Sequence, residues 1–583
     1  MKQFTLLILF LISLAARANV VYLDPLPDAR YVNINNNLII GLDKALTDET
    51  FNTLTVKVSG TKSGLQTGTL RLTTDKRKIL WTQERPFVQD EIVTVTISSN
   101  SSVIEYNSSK DFSYSFYTEK SRRRWNTDNT LRSELGDNYR APFRRDDNDL
   151  PELEVTKSNN PSHGKIFLSN FFNAESYLII AENNSIFYFA KPLVYEGMDF
   201  KVQPNGTLTY FEDRKNKFYQ LDHNYTMIDS FSTGNGYETD LHELRLLPNG
   251  HALLMAYDAQ YINMSLVVPG GDTNASVVGL IIQELDENKD VVFQWRSWDH
   301  FEITDATHLN FTASTLDYVH GNAIEEDIDG NLMISCRHMD EITKIDRHTG
   351  DIIWRLGGKH NEFSFVNDTI QFSHQHAIRR IANGNVTLFD NGNYHTPEFS
   401  RAIEYSLDEV NKIATLVWEY RNEPTIYGKA MGYVQRLDNG NTLIGWGFTT
   451  PTLTEVTQQK DITLEMKLSN DMVSYRAYKF DWDSTTSVGN NNGSIPNTYS
   501  LSQNYPNPFN PITTIDYSIP VAGNVTLKVY DIMGREVGSL VNGYKQAGSY
   551  NVTFGTSKLA SGVYIYKIES GNFTESKKMI LMK

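Results

Sequence analysis

The sequence predicts an all-β protein: a six-bladed β-propeller flanked by an N-terminal immunoglobulin-like β-sandwich and a C-terminal β-sandwich. Three observations carry that expectation. Aromatic residues are abundant, with 31 Tyr and 29 Phe, and short alternating apolar runs recur along the chain. Asn-Gly and Asp-Gly pairs punctuate those runs. Between about residues 161 and 480 one strand–turn–strand phrase returns several times. The length of 583 residues implies several domains, since single cores stop growing near ~250–300 residues.

Residues 1–18 read as a signal peptide. Lys2 supplies the positive start, Leu6 to Leu14 the apolar run, and Ala16-Arg17-Ala18 the cleavage site before Asn19. That run is well short of the ~20 residues a membrane span needs, so no transmembrane segment is expected in the mature chain. Residues 19–118 carry short alternating runs (NNLIIGLD, LTVKVSG, GTLRLTT, IVTVTISS) with turns roughly every ten residues, the pattern of a sandwich. Residues 119–160 are polar, with Arg122-Arg123-Arg124 and Arg144-Arg145-Asp146-Asp147, and read as a linker or clamp strand. Residues 161–483 form the propeller, 484–497 (STTSVGNNNGSIPN) a flexible linker, and 498–583 the last sandwich.

The formal charge of −16 argues against a protein that tracks nucleic-acid phosphates. With Cys336 as the single cysteine, neither an internal disulfide nor a multi-thiolate metal site is possible. Cys336 is expected to be a small buried hydrophobe.

The repeated phrase appears as MDFKVQPNGTLTYF, HELRLLPNGHALLMAYD, NAIEEDIDGNLMISCRH, HAIRRIANGNVTLFDNG and GYVQRLDNGNTLIGWG. Its turn glycines are Gly206, Gly250, Gly330, Gly384 and Gly440, and a positive φ is expected at each turn. A third strand then ends in an aromatic phrase: VVFQW, DIIWRL, TLVWEY. An earlier unit starts near Lys165. The blade count is six, with five or seven as the alternatives.

Repeat phase places the unusual residues. In a propeller the first strand of each blade lines the central channel. Eight residues before the turn glycines stand Met198, His242, Asn322, His376 and Gly432. His320, two before Asn322, shares its strand face if pairing is regular. Seven residues after two of the glycines stand Arg337 and Asn391. Equivalent phases in a ring converge on one axis. Three histidines suit a zinc site, or the roles of nucleophile, general acid and general base. Arg337 favours the second: a guanidinium beside a metal cation is electrostatically awkward, whereas beside a sulfate or phosphate ester it binds the oxygens as a planar fork. No metal and no cofactor are assigned.

Two resemblances follow from particular motifs. NYPNPFNP at 504–511, LASGVYIYKI at 559–568 and the terminal KKMILMK resemble the C-terminal type A sorting domain of type IX secretion cargo. That implies handling by the type IX secretion machinery and a secreted or cell-surface location. The phrases DLHELRLLPNG, DYVHGNAI, ISCRHMDEI, IIWRLGG, SHQHAI and LFDNG…SRAIEY, across about residues 160–450, resemble the bacterial arylsulfate sulfotransferase family. The resemblance implies ping-pong transfer of a sulfuryl group from a small-molecule aryl sulfate donor to a phenolic acceptor, independent of a nucleotide donor. Carried over by position, the transient sulfohistidine falls on His376 of the Gln375-His376 pair, with His374 close by. The sulfuryl-binding arginine falls on Arg337, the His-x-Asn pair on His320 and Asn322, and the earlier channel histidine on His242. Asn391 joins Asn322 as substrate-binding. Well-studied periplasmic members carry a disulfide that this chain cannot form, and they lack the sorting domain. Two other functions remain open: a sulfatase-like hydrolase or phosphotransferase on the same site, and a non-catalytic propeller that binds a surface ligand.

Overall fold

A computed structural model describes residues 18–99, 104–109, 111–123, 125, 129, 151–170, 176–470, 472–482 and most of 499–582. Residues 1–17 of the expected signal peptide, the 484–497 linker and most of the 119–160 segment lie outside the described residues. The chain divides into two compact units, the second of which carries residues 483–583.

The first unit opens with two facing sheets. One runs in the order Gly68–Leu72, Lys78–Gln83, Leu38–Leu42, Ala18–Asp24, Ile104–Glu105, and the other in the order Gly64–Gln66, Leu54–Gly60, Ile92–Ser99, Phe112–Tyr117. Alternation explains the arrangement: in Phe112–Tyr117 the residues Phe112, Tyr114 and Phe116 turn inward and Ser113 and Tyr117 outward. They meet Leu38, Ile40, Trp81 and Val93 in a shared core. The sandwich is tied to the rest of the unit through Tyr22, whose hydroxyl donates to the Gln294 carbonyl at 2.6 Å and whose ring stacks on Phe293.

Among the described residues, six further sheets of this unit each hold a run of four antiparallel strands. Their innermost strands are Ala477–Phe480, Gly197–Val202, Thr239–Leu246, Gly321–Glu326, His376–Arg380 and Tyr433–Arg436. From Gly197–Val202 onward each contacts the next, and Ala477–Phe480 contacts Tyr433–Arg436, so the sheets form the ring of a propeller. Several strands depart from the simple repeat. Lys165–Ser169 is not innermost in its sheet, because Ala477–Phe480, from the far end of the unit, pairs inside it. Leu153–Ser158 adds an outermost strand to the last sheet by pairing with Ile462–Leu468, and Arg122–Arg123 pairs with Ala252–Ile262. The aromatic phrases form fourth strands rather than third ones: Val291–Arg296, Ile352–Gly357 and Ile413–Tyr420 are the outer members of their four-strand runs.

At the repeat turns Gly206, Gly250, Gly330, Gly384 and Gly440 have φ between 78° and 88°. The preceding Asn or Asp stays in the ordinary region, so the turn is a type I turn closed by a left-handed glycine. Beside Gly330, Gly384 and Gly440 an added Cβ would meet nothing, so there the requirement is backbone conformation and not space.

The second unit contains a sheet in the order Ser500–Leu501, Ile512–Ile519, Gly548–Gly555 and another in the order Glu536–Lys545, Gly523–Asp531, Gly562–Ser570, Phe573–Leu581. Val525, Leu527 and Val529 alternate inward and pack with Ile515, Tyr566 and Ile568. This is a small sandwich, as the alternation predicts. No helix of the described residues is long and apolar enough to cross a membrane.

Candidate active site

Three histidines at the starts of neighbouring inner strands are anchored by the same device. His242 donates its backbone N–H to Asp240 Oδ1 at 2.9 Å and places Nδ1 2.6 Å from the same oxygen. His320 does so with Asp317, at 3.0 Å from the backbone to Oδ1 and 2.7 Å from Nδ1 to Oδ2. His374 does so with Asp340, at 2.7 Å and 3.0 Å. A carboxylate only accepts, so each pairing holds the tautomer with the proton on Nδ1 and the lone pair on Nε2. His242 and His320 are fully buried and His374 nearly so.

The rings form a row. His242 and His320 have centroids 5.2 Å apart, His320 and His338 4.7 Å, and His338 and His374 5.5 Å. Tyr257 and Tyr475 close one end beside His242. At the other end Tyr394 lies beside His374 and stacks on His308, which reaches Asp340 Oδ2 at 2.9 Å. Burial, assisted by the Arg337 charge, pulls the His374 imidazole down to about 4. Burial likewise holds His338 well below the ordinary histidine range, with His320 and Arg337 adding to it. The Asp340 carboxyl is disfavoured by burial, yet hydrogen bonds from His308 and His374 hold it far below the usual range.

Arg337 is buried just beyond strand Leu332–Cys336. Its Nη2 donates to the Lys429 carbonyl at 3.1 Å, and Nη1 lies 2.8 Å from His338 Nε2. His338 Nδ1 is 2.5 Å from the Asp317 carbonyl oxygen, which can only accept. The proton is therefore on Nδ1, and Nε2 accepts from the guanidinium.

His376 is fixed by amides instead of a carboxylate. Asn391 donates from Nδ2 to the carbonyls of Gly428 and Met431, at 2.7 Å and 3.0 Å. That commitment turns its oxygen toward His376 Nδ1, 2.7 Å away, and again puts the proton on Nδ1. Asn322 clamps the same stretch of backbone, donating to Gln375 O at 2.8 Å and accepting from Ala377 N at 3.3 Å. The sequence assigns both asparagines to the substrate; the hydrogen bonds here are to His376 and to backbone, which is positioning work.

The sequence also expects His320 and Asn322 to share a strand face. His320 instead precedes its strand in a left-handed conformation (φ 51°), and pairing shifts register between Gly321 and Ala323. It reaches His242 through that bend and not by strand parity. His374 has the same conformation (φ 56°) one sheet further on. His338, His374 and the three anchoring aspartates are the site residues that repeat phase does not single out. An acid two or three residues before a histidine signals Asp240 and Asp317; Asp340 belongs to the preceding sheet and has no local signal.

Asp317, His320 and His338 are the metal-type cluster among the described residues, with one ligand atom from each within 4.8 Å of the others. Both Nδ1 atoms already hydrogen-bond to Asp317, and Arg337 adjoins. The donor set fits a hydrogen-bonded cluster better than a cation.

Beyond the histidines, charge fills the channel. Glu243 contacts Lys201, Arg379 and Arg476, and Arg476 also reaches Asp199 at 3.0 Å and Asn322 O at 2.7 Å. Burial pushes the Glu243 carboxyl up, but the three cations outweigh it and hold it well below the ordinary range.

The arylsulfotransferase family model matches residues 152–479, more than half of the chain, and the secretion-system C-terminal sorting domain model matches residues 503–582. A search of curated proteins finds no match. Among solved structures, a Bacteroides caccae protein of unknown function is similar at 13% identity with a TM-score of 0.35, over 54% of this chain and 98% of that one. Virginiamycin B lyase from Staphylococcus aureus is similar at 11% identity with a TM-score of 0.29, over 57% and 90%. PorZ, a type IX secretion surface component of Porphyromonas gingivalis, is similar at 11% identity with a TM-score of 0.30, over 96% and 81%.

Proposed function

The chain belongs to the arylsulfotransferase family, and from that premise we propose that it moves a sulfuryl group from a phenolic sulfate ester to a phenol through a transient sulfohistidine at His376, with no nucleotide donor. The sorting domain directs the protein to the cell surface or beyond, and a nucleotide-independent transfer from an ordinary phenolic ester suits that location.

One observation supports the nucleophile above others. Asn391 spends its NH2 group on two carbonyls and its oxygen on His376 Nδ1, which leaves the lone pair on Nε2. In the first half-reaction that lone pair forms an N–S bond as the S–O(aryl) bond breaks, and the electron pair departs on the phenolate. Arg337 binds the sulfuryl oxygens as charge redistributes, a role in which one donor is worth about 10²–10³ in rate. A phenol of pKa ~10 leaves with little acid help. In the return half the acceptor oxygen attacks sulfur, the N–S bond breaks back to His376, and the phenol proton passes to Nε2 of His320 or His242. The imidazolium so formed returns that proton to the next leaving phenolate.

His374 is the second reading of the nucleophile, because its Nδ1 is held by Asp340 and the Arg337 charge acts on it. The experiment is turnover of 4-nitrophenyl sulfate with and without added phenol, followed by peptide mapping of the sulfurylated protein. Phenol-dependent release, lost in His376→Ala, with the adduct on residue 376, is the expected result. An adduct on residue 374 transfers the role to His374. Release without phenol identifies a hydrolase, and no release by the wild type a binding protein.

A further inference from the structure

A cavity of about 690 Å³ lies where the sandwich meets the propeller. Its walls come from the 73–78 hairpin, from the turns at Asn249 and Asn331, and from Glu284 and Arg347. Those turns end the inner-strand hairpins whose other ends carry His242 and Asn322. Five residues of strand (His242–Leu246 and Asn322–Glu326), about 15 Å, and the turns beyond them therefore separate this cavity from the histidine row. The volume falls in the range of roughly 300–1,000 Å³ that holds a drug-sized ligand.

Both charge signs line the cavity, and they are not equally engaged. Burial pushes the Glu284 carboxyl up, but His251 and Arg347 hold it at about 2. Asp286 is paired with Arg71 at 2.6 Å, and Asp329 with Lys344 at 2.8 Å. Glu287 accepts from Thr74 at 2.8 Å, and Asp75 accepts from Thr73 at 2.6 Å. The cations differ. Lys78 is half-buried over the faces of Phe293 and Tyr22, 5.4 Å and 6.0 Å from their centroids, and no carboxylate lies within ion-pairing distance of it among the described residues. The same holds for Arg77 and His348. Burial pushes the Lys78 ammonium down, a cost that an anion docked beside it would remove. Asn249 uses its side-chain oxygen on the backbone N–H of His251, which turns its NH2 group outward from that turn, whereas Asn331 spends its oxygen on Arg347 N and its side-chain amide on Asp329.

We propose that this cavity binds an acidic sugar, with its carboxylate or sulfate at Lys78 and His348 and its hydroxyls on Asn249 and the paired carboxylates. The paired acids accept from hydroxyls without holding a competing cation, and the unpaired ammonium selects the anion. The site stands apart from the chemistry proposed at His376.

The test is calorimetric titration of the full chain with D-glucuronate, with N-acetylglucosamine 6-sulfate and with glucose. At least one acidic sugar is expected to bind at least tenfold tighter than glucose; which of the two identifies the anion. Lys78→Met is expected to weaken that binding at least tenfold and to leave aryl sulfate turnover unchanged. Arg337→Ala is expected to keep the binding. Equal binding of glucose, no binding of either acidic sugar, unchanged binding by Lys78→Met, or loss of binding in Arg337→Ala each overturns the assignment. Should Lys78→Met melt below the wild type, His348→Gln is judged by the same criterion.

Discussion

Arg337 Nη1 lies 2.8 Å from His338 Nε2, and the imidazole accepts that hydrogen bond only because its own Nδ1 is committed to the Asp317 carbonyl. A neutral histidine thus aims a guanidinium. Replacing it with a group that cannot accept leaves a buried N–H without a partner, at about 1–3 kcal/mol. His338→Leu is therefore expected to lower kcat/KM for an aryl sulfate ~10- to 100-fold, mainly through KM. His338→Gln, which offers an amide oxygen at a similar reach, is expected to recover most of the loss. Steady-state kinetics on the pair checks it; equal kcat/KM in His338→Leu and the wild type removes the aiming role.

The aspartate anchors make a second, separable prediction. Asp240→Asn and Asp317→Asn preserve shape but allow the amide to donate, so the ring can take the opposite tautomer and lose its inward lone pair. Turnover is expected to fall about 10²-fold or more, with a melting temperature within a few degrees of the wild type. A variant with full kcat shows that tautomer control at that histidine is irrelevant.

Acidity acts on the row in a calculable direction. His374 sits at about 4 in the fold and at the ordinary ~6.5 when unfolded, so between those values the unfolded chain binds the extra proton. Stability is fully present above ~6.5 and is lost as pH falls toward 4, by about 3 kcal/mol from this one group. Asp24, raised by burial to about 7, works in the opposite sense across that whole range. The measurement is accordingly a difference: denaturant unfolding from pH 4 to 7 for the wild type and for His374→Gln, whose curve is expected to slope less steeply. An acid limb of kcat/KM governed by His374 should also lie well below 6.5, and a limb centred at 6.5 rules out His374 as its source.

The charge cluster behind the histidines is structural. Glu243→Gln leaves Lys201, Arg379 and Arg476 buried without their shared counter-charge, and breaking a buried network of this kind costs about 3–5 kcal/mol. Chemical denaturation should register that loss, together with reduced turnover, since Arg476 also holds the Asn322 carbonyl. A change below about 1 kcal/mol would mean that relaxation or water replaces the carboxylate.

Much of this was legible in the chain itself, for a definite reason. A repeat with a left-handed glycine at one phase sets the strand ends, and hence the mouths of the channel, so His242, Asn322, Arg337, His376 and Asn391 could be placed by counting. Counting fails where the backbone leaves the repeat. His320 and His374 sit in left-handed bends before their strands, which no strand parity describes. His338 and Asp340 act across sheets, and the amide commitments of Asn391 depend on Gly428 and Met431, far along the chain. The inner strand Ala477–Phe480 is likewise a long-range pairing that alternation alone cannot assign to the first sheet.

That pairing sets an order of assembly. Tyr475 beside His242 and Arg476 against Glu243 arrive with the same late segment that completes the ring. On a ribosome this segment is made after every histidine of the row and shortly before the sorting domain. A chain still missing it has its histidines in place along the sequence but no walls to hold their rings. The pocket that would handle sulfate esters is thus built at about the moment the export tag follows, so little finished enzyme exists while the chain is still being made.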